Sequence, residues 1–421
     1  MALVISATYT NFRSASKSGS RNRRDRLNSR ITDMKPNGID GSSNPVAHAM
    51  TGLATVAVIA FFAAMVVRLY LPQNEPSLIH LIMAIGIMPL IMGAMIYFTP
   101  VLTHSRAAGW LVLMVPLLAL VAGALASTGL LWHRDLLPIP AVLALVAAGT
   151  LLGWMWYRAR AMFGRPHPGL DWYRWALVCL LLGLMAILVA MFRPEYWMAL
   201  RRFHLHINLL GFVGMTAFGT LRVLVPTVAG YADDDARRRL HGDLYFAVIG
   251  TLLIAVGSAS QGWLVWPGLV LWLIPLMRFA SSLVMQWRKF VWGWHRSSTS
   301  SGLAVFGLIA VLIIAGFHAV GARPSGVSMQ VFFFVFLFPL VTGAVSYLLP
   351  VWLWPARNTA VYECTARKLA WGSGVRSLVF LAAGIVTCIG MSGAVYLAGV
   401  GILVFLLQVA WVLWARFSSN I

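Results

Sequence analysis

RRFHLHINLLGFVGMTAFGTLRVLVPTVAGY, Arg201 to Tyr231, is the stretch on which the reading of this chain turns. Its apolar part, Phe203 to Val225, has the length of a membrane-crossing helix, because a hydrocarbon core takes about 20 helical residues. Two arginines precede it, and His204, His206 and Asn208 lie near its start. An ionisable side chain inside such a helix is costly and calls for a partner. Residues two apart on a helix point about 200° apart. His204 and His206 therefore address different neighbours, an arrangement suited to a pair standing between two metal centres.

The rest of the chain has the same character. Of 421 residues, 60% are hydrophobic and 10% charged, against about 25% charged in soluble domains. The expected class is an all-α membrane protein in contact with lipid. The formal net charge of +20 invites a nucleic-acid reading. The basic residues instead fall in short loops between apolar runs, where they set topology, so no nucleic-acid partner is expected. Cys179, Cys364 and Cys388 form no CxxC, which excludes a zinc knuckle, a thioredoxin-like pair and a c-type haem attachment. Residues 1–44 are polar and basic without the apolar core of a secretory signal. They read as a disordered cytoplasmic tail.

Twelve apolar segments follow, at 46–71, 77–101, 108–131, 138–157, 174–192, 203–225, 244–262, 264–287, 302–320, 328–349, 376–393 and 394–415, within a single membrane domain, 46–415. Arg158, Arg160, Arg165, Arg237, Arg238, Arg239, Arg288, Lys289, Arg367 and Lys368 fall in loops on one side. The other side holds Arg134, Arg193, Arg201, Arg202 and Arg323. The positive-inside rule then places both termini in the cytoplasm and the protein in a bacterial inner membrane.

An internal repeat divides the twelve segments into three sets of four (46–157, 174–287 and 302–415). Gly93 and Pro100, Gly219 and Pro226, and Gly343 and Pro350 share one spacing. Pro226 follows Pro100 by 126 residues, and Pro350 follows Pro226 by 124. A spacing that recurs in corresponding helices points to triplication and to a pseudo-threefold ring. His80 precedes Pro100 by 20 residues, as His206 precedes Pro226, and Gln330 holds that offset in the third copy.

The segment HLHINLLGFVGMTAFGTLRVLVP resembles the tenth helix of heme–copper oxidase subunit I, especially its C-type branch, in its H-x-H, its small-residue run and its closing Leu-Val-Pro. It is similarly close to the H-x-H helix of the NnrS proteins, which are haem- and copper-containing membrane proteins tied to nitric oxide stress in denitrifiers. The resemblance implies three arcs of four helices. It also implies a haem b held by His80 and His206, with His204 facing a second haem or a copper. His318 is a further candidate copper ligand, and Arg201 and Arg202 are candidate haem-propionate donors or interfacial anchors. Two departures matter. The H-x-H lies in the middle repeat rather than the last, and the oxidases' adjacent His-His copper ligands have no counterpart. The implied role is redox or nitric-oxide-related. Its partners would be a respiratory or cytochrome electron-transfer protein and nitric oxide or another small gas, and any catalysis would be of oxidoreductase type.

The acidic residues qualify that reading. All twelve fall in the tail, in loops or at helix edges by the segment boundaries above. A span without a carboxylate argues against a proton-pumping oxidase and a carboxylate-driven antiporter. A metal-free permease, with the histidines lining a wet pathway, and an assembly partner of a respiratory enzyme remain as rivals. Arg222 and Arg278 read as side chains that snorkel to the inner surface.

Overall fold

A computed structural model describes residues 45–70, 75–162, 164, 166–231, 233–355 and 359–418. The expected tail, 1–44, lies outside them, as do Arg165 and Arg357. The described residues are helical with no strand, and twelve helices are long and apolar enough to span a membrane. These are α1 (Pro45–Tyr70), α2 (Glu75–Leu102), α3 (Trp110–Trp132), α4 (Arg134–Arg160), α5 (Gly169–Phe192), α6 (Pro194–Ala229), α7 (Ala236–Ala259), α8 (Gly262–Gln286), α9 (Ser297–Ala319), α10 (Ser325–Leu353), α11 (Ala360–Cys388) and α12 (Ala394–Ser418). A helix satisfies every backbone polar group within its own segment, which is why an apolar chain of this length takes that form in lipid.

The boundaries of α6, α7 and α11 differ most from the sequence reading, and α7 begins at Ala236 rather than near Leu244. α6 begins at Pro194 rather than near Phe203, because the helix continues outward through Arg201 and Arg202, whose exposed side chains end the apolar run but not the backbone ladder. α11 begins at Ala360 with an amphipathic piece, Ala360–Ala370, capped by the Thr359 hydroxyl, which accepts from the Tyr362 N–H at 3.2 Å. It breaks at Trp371 and Gly372, where Gly372 takes a left-handed φ of 68°, and resumes as Ser373–Cys388.

α6 and α10 are the most buried of the twelve helices, and α4 and α12 the least. One ring system holds each of the two buried helices. Phe218 of α6 stacks on Trp172 of α5 with centroids 4.9 Å apart and meets Trp272 and Phe279 of α8 edge-on. Phe338 of α10 packs on Phe61 of α1 at 4.9 Å and on Phe380 of α11 at 5.7 Å. Such pairs contribute about 0.5–1.5 kcal/mol each beyond their buried area, and they lock the buried helices to both flanks.

α2, α6 and α10 share two departures from plain helix. Each contains a π-helical segment, at Leu81–Ile87, Ile207–Gly214 and Phe332–Leu337 respectively. These segments begin one residue after His80, one after His206 and two after Gln330. A π turn inserts one residue into the i→i−4 ladder and re-aims the side chains beside it. The recurrent glycines mark the second feature. A Cβ on Gly93 would meet Leu53 of α1 at 2.6 Å, one on Gly219 would meet Trp172 of α5 at 2.8 Å, and one on Gly343 would meet Ser301 of α9 at 2.7 Å. The glycine therefore lets the helix that opens each set of four approach the helix after it.

Other glycines make the same closeness necessary elsewhere. A Cβ on Gly123 of α3 would collide with the Ala84 carbonyl, and one on Gly307 of α9 with the Val335 carbonyl, both inside π segments. Gly149 and Gly153 of α4 face open space. Gly307→Leu should therefore destabilise by about 1–3 kcal/mol or more, the usual cost of overpacking, whereas Gly149→Leu should stay within about 0.5 kcal/mol. Thermal unfolding of the two variants in detergent, followed by size-exclusion fluorescence, checks this; equal losses would contradict the packing described.

Candidate functional site at the histidine end

Four of the predicted site histidines lie at one end of the bundle, on α2 (His80), α6 (His204 and His206) and α9 (His318). All four are half-buried. In each, Nδ1 sits within hydrogen-bond distance of a backbone carbonyl. His80 Nδ1 lies 2.8 Å from the Pro76 oxygen, His204 Nδ1 2.8 Å from the Gly183 oxygen, His206 Nδ1 2.8 Å from the Arg202 oxygen and His318 Nδ1 3.0 Å from the Arg323 oxygen. A carbonyl can only accept, so Nδ1 carries the proton in the neutral ring and donates it. Nε2 is left unprotonated with its lone pair, the state a metal-ligating imidazole needs.

Two histidines elsewhere show the opposite tautomer. His167 Nδ1 accepts from the Gly169 N–H at 3.1 Å, and His295 Nδ1 accepts from the Gly372 N–H at 3.1 Å. They satisfy orphan donors at helix starts, as a cap does. His133, an exposed residue, ends α3, and His104 and His241 are also exposed. The four are thus distinguished by chemistry as well as by place.

The histidines interact electrostatically across helices. The electrostatic neighbours of His204 include His80, and those of His206 include His318. The H-x-H thus has one electrostatic neighbour on α2 and another on α9. The π segments begin just after His80 and His206 and turn the faces that follow them. Among the described residues no group of three or more His, Cys, Asp or Glu gathers to hold a metal ion.

Asn208 completes the His80–His204 side. Its Nδ2 donates to the His204 carbonyl at 2.8 Å and approaches His204 Nδ1 at 3.2 Å. Its Oδ1 is buried without a partner. Gly183 of α5 provides both the carbonyl for His204 and the room for Asn208, since a Cβ there would come 2.5 Å from Asn208 Nδ2. Arg201 and Arg202 are exposed, and the Arg202 carbonyl, not its guanidinium, touches the site. Gln330 accepts from the Thr387 hydroxyl at 3.5 Å.

The opposite end corrects the account of the acidic residues. Asp243 is 3% exposed inside α7, and Arg278 Nη1 donates to its Oδ1 at 3.0 Å. Arg222 is 1% exposed, lies 3.3 Å from Asp233 through Nη2, and sits between the rings of Phe279 and Trp287 with centroids at 4.8 and 5.4 Å. Arg222 does not snorkel, because aromatic faces and a carboxylate folded back from the following loop compensate it in place. Sequence boundaries had assigned Asp243 to a loop, since the arginines before it end the apolar run while the helix continues through them. Arg239 Nη1 donates to Ser282 Oγ at 2.9 Å beside the same cluster.

Comparison of the chain with protein-family models finds no match, and comparison with curated proteins finds none.

Two outcomes follow from these groups. Arg222→Met should cost about 3–5 kcal/mol by stranding a buried carboxylate. The double variant Arg222→Met/Asp233→Leu should recover most of it. Unfolding of the single and double variants measures the coupling, and additive losses would deny the pair. His167, between α4 and α5, is pushed down to about 4 by burial and by Arg237 and His104. The unfolded chain titrates near the ordinary value of about 6.5, so it binds the extra proton first. Stability is then full above about pH 6.5 and falls as pH drops toward 4. His167→Gln should flatten that part of the Tm–pH curve, and an unchanged slope would refute the assignment.

Proposed function

We propose that the protein binds haem b at the histidine end and serves a redox or nitric-oxide-related role in a bacterial inner membrane, with both termini in the cytoplasm. The observation that carries this is the common state of His80, His204, His206 and His318, whose Nδ1–H groups are all committed to backbone carbonyls. A six-coordinate low-spin haem takes two axial ligands from the protein and a gas-binding haem takes one, and imidazoles presenting Nε2 fit either donor set where a three-ligand copper or zinc site does not.

His80 and His204 are the better pair. Their anchoring hydrogen bonds are part-buried, whereas those of His206 and His318 are exposed. The His204 bond also crosses from α6 to α5, which holds the ring between two helices. The buried, unpartnered Asn208 Oδ1 supplies an acceptor beside it. Bound haem would supply a one-electron carrier or an iron able to take a diatomic gas. This chain's residues would orient the macrocycle and fix the imidazole tautomer. His206 and His318 leave room for a second haem or a copper.

The likeness to heme–copper oxidase subunit I and NnrS supports the reading through the H-x-H helix. The recurrence of π segment, glycine contact and proline on α2, α6 and α10 supports a threefold, four-helix repeat behind it. A respiratory or cytochrome donor fits as partner. The buried carboxylates Asp243 and Asp233 favour a second reading, an ion-coupled transporter, because membrane-embedded acids are the usual carriers in such proteins.

Purification in mild detergent from a haem-sufficient host, followed by a reduced-minus-oxidised spectrum with iron and copper measured on the same sample, tests the choice. The expected result is sharp Soret and α bands with about one or two irons per chain. His80→Ala and His204→Ala should each abolish the low-spin bands by removing one of the two axial ligands. A colourless, metal-free protein would sink the haem reading and favour transport.

A further inference from the structure

The last turns of α4 carry a site that the histidine end does not use. Gly149, Leu152, Gly153, Trp156, Tyr157 and Arg160 line an open groove of about 570 Å³, within the span of about 300–1,000 Å³ usual for ligand sites. Their spacing, i, i+3, i+4, i+7, i+8 and i+11, puts them on one helical face. A Cβ on Gly149 or Gly153 would meet nothing within 4 Å. Unlike Gly93, Gly219 and Gly343, these glycines admit no neighbouring helix of this chain, and α4 is among the least buried of the twelve.

The groove has the depth of one membrane leaflet. Gly149 to Arg160 is eleven residues, about 16 Å of helix, or about half of a hydrocarbon core about 30 Å thick. Arg160 closes it at the end of the bundle opposite the histidines. There Arg158 Nη1 and Nη2 donate to the Arg106 and Ala107 carbonyls at 3.1 and 3.3 Å, past the end of α2 remote from His80. Trp156 and Tyr157 are exposed beside Arg160, as aromatic residues are at headgroup level. From them the glycine floor runs inward toward the bilayer centre.

Charge distinguishes the head of the groove. The Trp156 ring has the Arg160 guanidinium at 5.9 Å and that of Arg174 of α5 at 5.1 Å from its centroid. Arg174 Nη1 donates to Asp171 Oδ1 at 3.0 Å, and its Nε is buried without a partner. Asp171 answers one of these two cations. Among the described residues no carboxylate pairs with Arg160, so one positive charge is left over where the groove opens.

We propose that the groove binds one phospholipid with a singly negative headgroup, its phosphodiester on Arg160 beside Trp156 and one acyl chain along Gly153 and Gly149. The leftover charge complements one phosphodiester, and the open floor takes a chain of single-leaflet length. A second copy of the protein fits less well. Two copies in one membrane, related by the usual two-fold axis, would set Arg160 against Arg160 at equal depth, and like charges brought together are unfavourable. This site lies apart from the histidines and does not depend on the haem reading.

The test uses the full-length protein, delipidated in mild detergent. Palmitoyl-oleoyl phosphatidylglycerol, or the phosphatidylcholine with the same chains, is titrated in, and native mass spectrometry counts bound lipid per chain. Wild type should bind one phosphatidylglycerol saturably and about fivefold more tightly than phosphatidylcholine, the preference that one arginine near the surface confers. Arg160→Gln should remove the preference. The double variant Gly149→Leu/Gly153→Leu fills open space and should unfold at the wild-type temperature, yet lose the saturable site for both lipids. Equal affinity of wild type for the two lipids overturns the proposal. So does a preference that persists unchanged in either variant. A wild-type dimer that the glycine substitutions dissociate, without lipid preference, assigns the groove to a second copy instead and overturns it as well.

Discussion

In hydrocarbon a polar group has no water to turn to, so each one must find its partner within the protein. This constraint orders the whole molecule. It explains why His80, His204, His206 and His318 each give Nδ1–H to a carbonyl and why Asp233 folds back onto Arg222. It also explains why Trp172 and Trp272 of the core donate to the Leu240 carbonyl and the Thr251 hydroxyl, each at 2.9 Å.

Close helix approach is the means by which those partners are reached. Without a hydrophobic force between helices in lipid, association depends on packing and on hydrogen bonds that small residues permit. Gly183 illustrates the link from sequence to site, since a side chain there would displace Asn208 and with it the setting of His204. The π segments act in the same direction, turning the faces of α2, α6 and α10 at the depth where His80, His206 and Gln330 stand.

Much of the fold was legible in the sequence because bilayer thickness imposes one length on every crossing helix. Twelve apolar runs, three Gly-x6-Pro spacings and the matched offsets of His80 and His206 are all one-dimensional patterns. The boundaries of α6, α7 and α11 were less legible, because a helix continues through arginines that end an apolar run. For the same reason Asp243 read as a loop residue although it is buried inside α7.

The sequence by itself determined the all-helical membrane class, the number of crossings and the placing of the candidate histidines toward one end. Hydropathy and spacing are local properties, and these conclusions need nothing else. Only the tertiary structure decided which imidazole faces which, which tautomer each ring takes, and which arginine has a counter-charge. Those answers depend on carbonyls and carboxylates from distant segments: Gly183 beside His204 and Asp233 against Arg222. A partner brought close by packing leaves no mark in the order of residues along the chain.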